Sequence, residues 1–79
     1  MTRPEHPLSR AERHVRESEE RVARQAALVL KLSKTGHEWA AETARIGLAT
    51  METSLELARD RLRAVRARAD GGGLPPIPD

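Results

Sequence analysis

The sequence lacks cysteine, has one aromatic residue, Trp39, and contains no long apolar run. Without cysteine the chain can form neither a disulfide framework nor a zinc–thiolate site. No stretch approaches the ~20 apolar residues of a membrane span, and the start has no apolar signal core, so we expect a cytoplasmic protein without a membrane partner. A chain of 79 residues forms at most one small domain, which needs very regular helix packing or self-association for stability.

Proline occurs only near the two ends, which divides the chain into three segments. Residues 1–8 contain two prolines and predict a flexible leader. Residues 71–79 begin with three glycines and continue with three prolines, which predicts a flexible tail. The spacing of Pro75 and Pro78 also matches peptides that bind aromatic grooves, but a disordered end is the preferred interpretation.

Residues 9–70 carry two signals for the start of a helix. Ser9 and Thr35 are each followed three residues later by glutamate, the capping-box spacing in which both side chains satisfy free backbone donors. Gly36 can end the preceding helix, because glycine adopts the left-handed conformation without a side-chain clash. We therefore predict helix one at about 10–34, a turn at about 35–37 and helix two at about 38–69.

Apolar residues recur at alternating intervals of three and four, the spacing of a coiled-coil seam. The seam of helix one consists of Leu8, Ala11, Val15, Ser18, Val22, Gln25, Val29 and Leu32. The seam of helix two consists of Ala41, Ala44, Leu48, Met51, Leu55, Ala58, Leu62, Val65 and Ala69. This regularity predicts that each helix packs lengthwise against a partner.

A single antiparallel register matches the two seams along their length. If the chain folds back at Gly36, Leu32 faces Ala41 beside the turn and Leu8 faces Val65 at the open end. We therefore predict an all-α fold, an antiparallel two-helix coiled-coil hairpin. A short chain buries little apolar surface by itself, and a twofold contact with a second copy would bury more. We therefore also predict dimerisation into a four-helix bundle.

The charged residues fit this register without a ligand. Glu12 and Glu19 fall near the levels of Arg59 and Arg66 across the hairpin. Within helix one, glutamate precedes arginine by four residues in the pairs Glu12–Arg16, Glu17–Arg21 and Glu20–Arg24.

The outward side of helix two carries no charge near the turn, unlike that of helix one. We call this surface the outer stripe; it consists of Trp39, Thr43, Ile46, Thr50, Thr53 and Leu57. It extends over roughly 27 Å at a rise of ~1.5 Å per residue. Threonine has a lower helix propensity than alanine at exposed positions, so three threonines here favour a packing surface. The apolar run near the end of helix one adds Leu28 and Leu30 to the candidate contact region.

Two interpretations of the outer stripe remain open. In the first, threonine and one exposed leucine are ordinary features of a helix surface. In the second, the stripe contacts a second copy or a helix of another protein, and a dimer is the preferred arrangement. We therefore predict a non-enzymatic scaffold or regulatory protein that self-associates through helix two.

The histidines do not indicate a metal site or a catalytic centre. His6, His14 and His37 lie far apart, and neither His14 nor His37 has a glutamate three residues before it, as the diiron bundles require. A two-helix hairpin also provides no deep pocket in which a nucleophile could be activated. We therefore expect no enzyme activity and no cofactor.

Nucleic-acid binding is the alternative function. Arg59, Arg63 and Arg66 share one helical face, and arginine suits phosphate contacts. The formal charge of the chain is only +2, however, and no aromatic residue accompanies the arginines. Ordinary ion pairs with the facing glutamates are the preferred interpretation.

Five short segments of the chain form a recognisable set: Ala11-Glu-Arg-His-Val15, Ala23-Arg-Gln25, Gly36-His37, Ala49-Thr-Met-Glu-Thr-Ser-Leu55 and Asp60-Arg-Leu62. As a set they resemble a family of short uncharacterised alphaproteobacterial proteins. The similarity covers about fifty residues and departs from the family at Glu38 and Trp39, where Asp-Thr is usual, and in the tail. The resemblance implies a bacterial helical hairpin and no activity.

Overall fold

The computed structural model describes residues 5–70, which form two helices. Helix α1 spans Pro7–Lys34 and helix α2 spans Glu38–Asp70. The helices pack against each other, and residues 5–70 contain no strand. The all-α hairpin that the seam spacing predicts is therefore confirmed. The predicted tail at 71–79, with its Pro75–Pro78 motif, and residues 1–4 of the predicted leader lie outside the described residues.

Helix α1 begins at Pro7, three residues before the position that the sequence indicated. Its N-cap is His6, whose Nδ1 accepts a hydrogen bond from the backbone N–H of Leu8 at 3.0 Å. Proline at the first helical position lacks an N–H and has its φ fixed near the helical value. The capping box predicted at Ser9 is therefore wrong, because Ser9 already lies in the first turn.

The turn is a glycine-terminated helix end. Gly36 has a φ of 78°, its N–H donates to the carbonyl of Ser33 at 3.3 Å, and the N–H of His37 donates to Leu32 at 2.9 Å. These are the two bonds of a Schellman motif, so Gly36 ends α1 as the sequence predicts. Thr35 caps α1 instead of α2, since its hydroxyl donates to the carbonyl of Lys31 at 2.9 Å. The second predicted capping box is therefore also wrong.

The buried surface of the hairpin is the seam. The buried residues between 5 and 69 are Ala11, Ser18, Ala41, Ala44, Leu55, Ala58 and Leu62, and all are seam residues. The other seam residues are half-buried, except Ala69, which is exposed near the end of α2. The heptad spacing therefore predicts correctly which side of each helix faces its partner.

Polar contacts between the helices establish a constant antiparallel register. Arg66 lies 3.6 Å from Glu12 and Arg59 lies 3.4 Å from Glu19, while Arg45 donates to the hydroxyl of Ser33 at 2.9 Å. Equal steps along α1 are thus matched by equal steps in the opposite direction along α2. The predicted proximity of Glu12 and Glu19 to Arg66 and Arg59 is confirmed.

The three glutamate-first pairs predicted within helix one do not form in the described part of the chain. Glu12 contacts Arg66 of α2 instead, and Glu17 contacts Arg13, four residues before it, at 3.4 Å. A glutamate beside the seam can reach across to the second helix, and the isolated-helix rule takes no account of that partner.

The polar seam residue Gln25 is accommodated by a close approach of the helices. Its amide nitrogen donates to the carbonyl of Ala44 at 2.9 Å. A Cβ atom built on Gly47 would lie 3.2 Å from the same nitrogen. The glycine therefore leaves room for Gln25.

Candidate interaction surface

The outer stripe is exposed along α2. Trp39 is 83% exposed, Leu57 65% and Ile46 64%, while the three threonines are also exposed. Each stripe residue stands two positions from a seam residue, which is about 200° around the helix. The stripe therefore points away from α1, and no contact within the hairpin can cover it.

The threonine hydroxyls of the stripe bond to their own helix. Thr43 donates to the carbonyl of Trp39 at 3.1 Å, Thr50 to Ile46 at 3.4 Å and Thr53 to Ala49 at 3.1 Å. A hydroxyl that donates to the carbonyl four residues earlier has its donor satisfied locally. A partner surface can therefore cover these side chains without leaving their hydroxyl hydrogens unpaired.

The two edges of the stripe differ in chemistry. On one edge, Ala40, Gly47 and Ser54 recur every seven residues and present small side chains. On the other edge, Glu42 pairs with Arg45 at 3.1 Å and Glu56 pairs with Arg59 at 2.9 Å.

Both edges suit the approach of another helix. Small residues let helix backbones approach closely, and the ion pairs partly neutralise the glutamates beside the stripe.

Leu28 and Leu30, predicted as further contact residues, do not lie on one surface. Their side chains are 43% and 56% exposed. Because the two leucines are two positions apart on α1, their side chains point in directions about 200° apart around the helix. A single partner surface therefore cannot cover both. The sequence had grouped them because the neighbouring residues are apolar around most of the helix, which conceals the direction of each side chain.

The arginines predicted as a nucleic-acid surface all have acidic partners. Arg59 contacts both Glu19 and Glu56, Arg66 contacts Glu12, and Arg63 contacts Asp60. The geometry agrees with the ion-pair interpretation of this face, in which the facing carboxylates offset the arginine charge.

The three histidines occupy unrelated places. His6 caps α1, His37 lies in the turn with its Nδ1 2.8 Å from the hydroxyl of Thr35, and His14 lies near the open end. Among the described residues, no group of three histidine, cysteine or acidic side chains is placed to hold a metal ion.

Sequence reasoning missed a basic cleft at the open end of the hairpin, between the start of α1 and the end of α2. Arg10, His14, Arg61 and Arg68 are among its lining residues. The signal was present in the heptad positions, because His14 and Arg61 occupy equivalent positions at facing edges of the two seams. Such positions pair across an antiparallel coiled coil, and both residues here are basic.

Comparisons with protein-family models, with curated proteins and with solved structures find no match. The resemblance to short alphaproteobacterial proteins stays a prediction from the sequence. Neither helix in the described part of the chain is both long and apolar enough to span a membrane.

Proposed function

We propose that the protein is a non-enzymatic helical scaffold or regulatory protein that self-associates through the outer stripe. Two hairpins pack with their α2 helices in contact and form a four-helix bundle. The observation that carries this proposal is the stripe itself, in which uncharged side chains extend along α2 directly opposite the seam. The expected compartment, the cytoplasm, stays a prediction.

The small core of one hairpin supports the proposal. Among residues 5–69, the buried apolar side chains are those of four alanines and of Leu55 and Leu62, and no large side chain is fully buried. Burying a leucine contributes about 1.5–3 kcal/mol, whereas alanine contributes much less. A second hairpin covering Trp39, Ile46 and Leu57 would bury several large apolar side chains in a second contact, on the side of α2 opposite the seam.

The order of residues in the stripe favours a second copy over a foreign partner. If two α2 helices pack antiparallel with the twofold axis at the level of Leu48, large side chains fall opposite smaller ones or at the ends. Trp39 then faces Leu57 of the second copy, Ile46 faces Thr50, and Thr43 faces Thr53. A twofold contact requires such self-complementarity, because the same patch contributes both sides.

Light scattering of the purified chain tests the association. We expect a dimer mass for the unmodified chain and a shift of at least ~100-fold in its dissociation constant for I46E/L57E. Each substitution places a charge in a contact that would bury an apolar side chain. Helicity should be retained, because both positions point away from the seam.

The matched control for this experiment is L30E, which also replaces an exposed apolar residue by glutamate. Since Leu30 lies outside the stripe, this variant should remain dimeric. A folded monomer of the unmodified chain would contradict the proposal, as would equal loss of association in L30E and I46E/L57E.

Spin labels distinguish the proposed antiparallel arrangement from a parallel one. The chain has no cysteine, so Ala64→Cys introduces a single labelling site at an exposed position. The antiparallel dimer separates the two labels by about 48 Å along α2. A parallel dimer in register would bring them within about 20 Å, and that distance would exclude the proposed symmetry.

A further inference from the structure

The open end of the hairpin contains a cleft of about 450 Å³. Ala11 and Val65 of the seam line it together with four arginines, His14 and Glu17. The cleft is separate from the outer stripe, so nothing argued about it depends on the proposed self-association.

Among residues 5–69, only one of the four arginines in the cleft lies close to a carboxylate. Arg13 lies 2.8 Å from Glu5 and 3.4 Å from Glu17, the acidic residue of the lining. Arg10 donates to a backbone carbonyl, that of Glu5, at 3.4 Å. Neither Arg61 nor Arg68 has a carboxylate partner among residues 5–69.

Along the opposite edge of the same seam, arginines of α2 are paired with glutamates of α1. There Glu12 faces Arg66 and Glu19 faces Arg59, so both of these contacts across the helices join opposite charges. In the cleft, His14 and Arg61 occupy equivalent facing positions, and the acidic residue of the lining, Glu17, contacts Arg13. Like charges gathered in one place raise the electrostatic energy of the free protein, and an anion in the cleft would lower it.

We propose that this cleft binds an anion with several linked phosphates, as in a triphosphate group. Arg61 and Arg68 are seven residues apart, about 10 Å along α2, so a chain of linked phosphates can contact both guanidinium groups at once. Planar guanidinium groups donate paired hydrogen bonds to phosphate oxygens. The lining includes no phenylalanine, tyrosine or tryptophan, so the arginines and the phosphate groups carry the recognition.

Isothermal titration calorimetry of the full chain with sodium tripolyphosphate tests this site. We expect saturable binding with one site per chain, and at least ~10-fold weaker binding for R61Q/R68Q, which loses charge-assisted hydrogen bonds. The matched control is R16Q/R63Q, which removes the same charge from two exposed arginines outside the cleft. The control should bind tripolyphosphate with a dissociation constant within about twofold of that of the unmodified chain, because salt screens the long-range effect of charges outside the cleft.

Parallel titrations identify the source of the phosphates. Binding of tripolyphosphate and ATP with similar affinity supports a site for the phosphate chain alone, and tighter binding of ATP supports a nucleotide in the same cleft. The proposal is overturned if tripolyphosphate does not bind, or if sulfate binds equally well at matched ionic strength. It is also overturned if both double variants lose affinity equally, or if only a single-stranded oligonucleotide binds. Circular dichroism of each variant verifies that the helices persist.

Discussion

The turn half of the hairpin, residues 16–57, and its open end, residues 5–15 and 58–70, share one seam but carry different outer surfaces. Around the turn, α2 presents Trp39, Ile46 and Leu57 to solvent, with threonines between them. At the open end, arginines of α2 flank the seam on both edges. On one edge they pair with glutamates of α1, and on the other they line the cleft.

This difference separates the residues that determine the fold from those that are available for binding. The seam spacing continues through both regions, so the helices pack in the same way throughout. The outer positions contribute little to that packing, and they can differ without changing the hairpin. Apolar outer residues suit a protein partner, and unpaired arginines suit an anion.

Replacing seam leucines tests whether the two regions really share one core. Leu55 lies in the turn half, Leu62 at the open end, and both are buried. We expect Leu55→Ala and Leu62→Ala each to lower the free energy of unfolding by about 2–4 kcal/mol, measured by urea denaturation.

The control for these variants is Leu30→Ala, which should cost no more than about 0.5 kcal/mol because Leu30 is exposed. If Leu62→Ala proved as mild as this control, the open end would contribute no core of its own. The comparison between two equally packed regions would then fail.

Gly36→Ala tests the turn that places the two halves of the seam opposite each other. A Cβ at this position would meet no atom within 4 Å, so the cost arises from the positive φ of 78° alone. We expect a loss of about 1 kcal/mol in the free energy of unfolding. Gly36→Asn should cost less, because asparagine tolerates the left-handed region better. Equal stability of all three proteins would show that the turn does not hold this conformation in solution.

The ion pair between Glu19 and Arg59 should have the smallest effect. Both side chains are about half exposed, and their closest atoms are 3.4 Å apart. A double-mutant cycle with Glu19→Gln and Arg59→Gln should give a coupling energy below about 1 kcal/mol that decreases further in high salt. A coupling of several kcal/mol would mean that charge pairing, and not the seam, holds the open end together.

The sequence predicted the hairpin well because the seam signal is repeated many times. Each of the buried residues found between 5 and 69 lies on the seam predicted from intervals of three and four. The helix starts were predicted less well, because a cap depends on one or two local bonds. At both predicted capping boxes another arrangement formed: His6 caps α1, and Thr35 bonds to the end of α1 instead of the start of α2.

The candidate contact surface was predicted in part. The residues of the outer stripe are exposed on one side of α2, as their spacing indicates, but Leu28 and Leu30 point in different directions. Composition identified these two leucines as apolar without indicating which side of the helix each one occupies.

By itself, the sequence determined the helical class, the seam, the glycine turn and the uncharged stripe, because each depends on residue type and spacing along one chain. The tertiary structure alone decided that Arg10, Arg61 and Arg68 come together in one cleft beside His14. This placement depends on the distances between side chains of the two helices. An arginine of α2 that contacts Glu12 or Glu19 is neutralised, whereas Arg61 faces the basic side chain of His14.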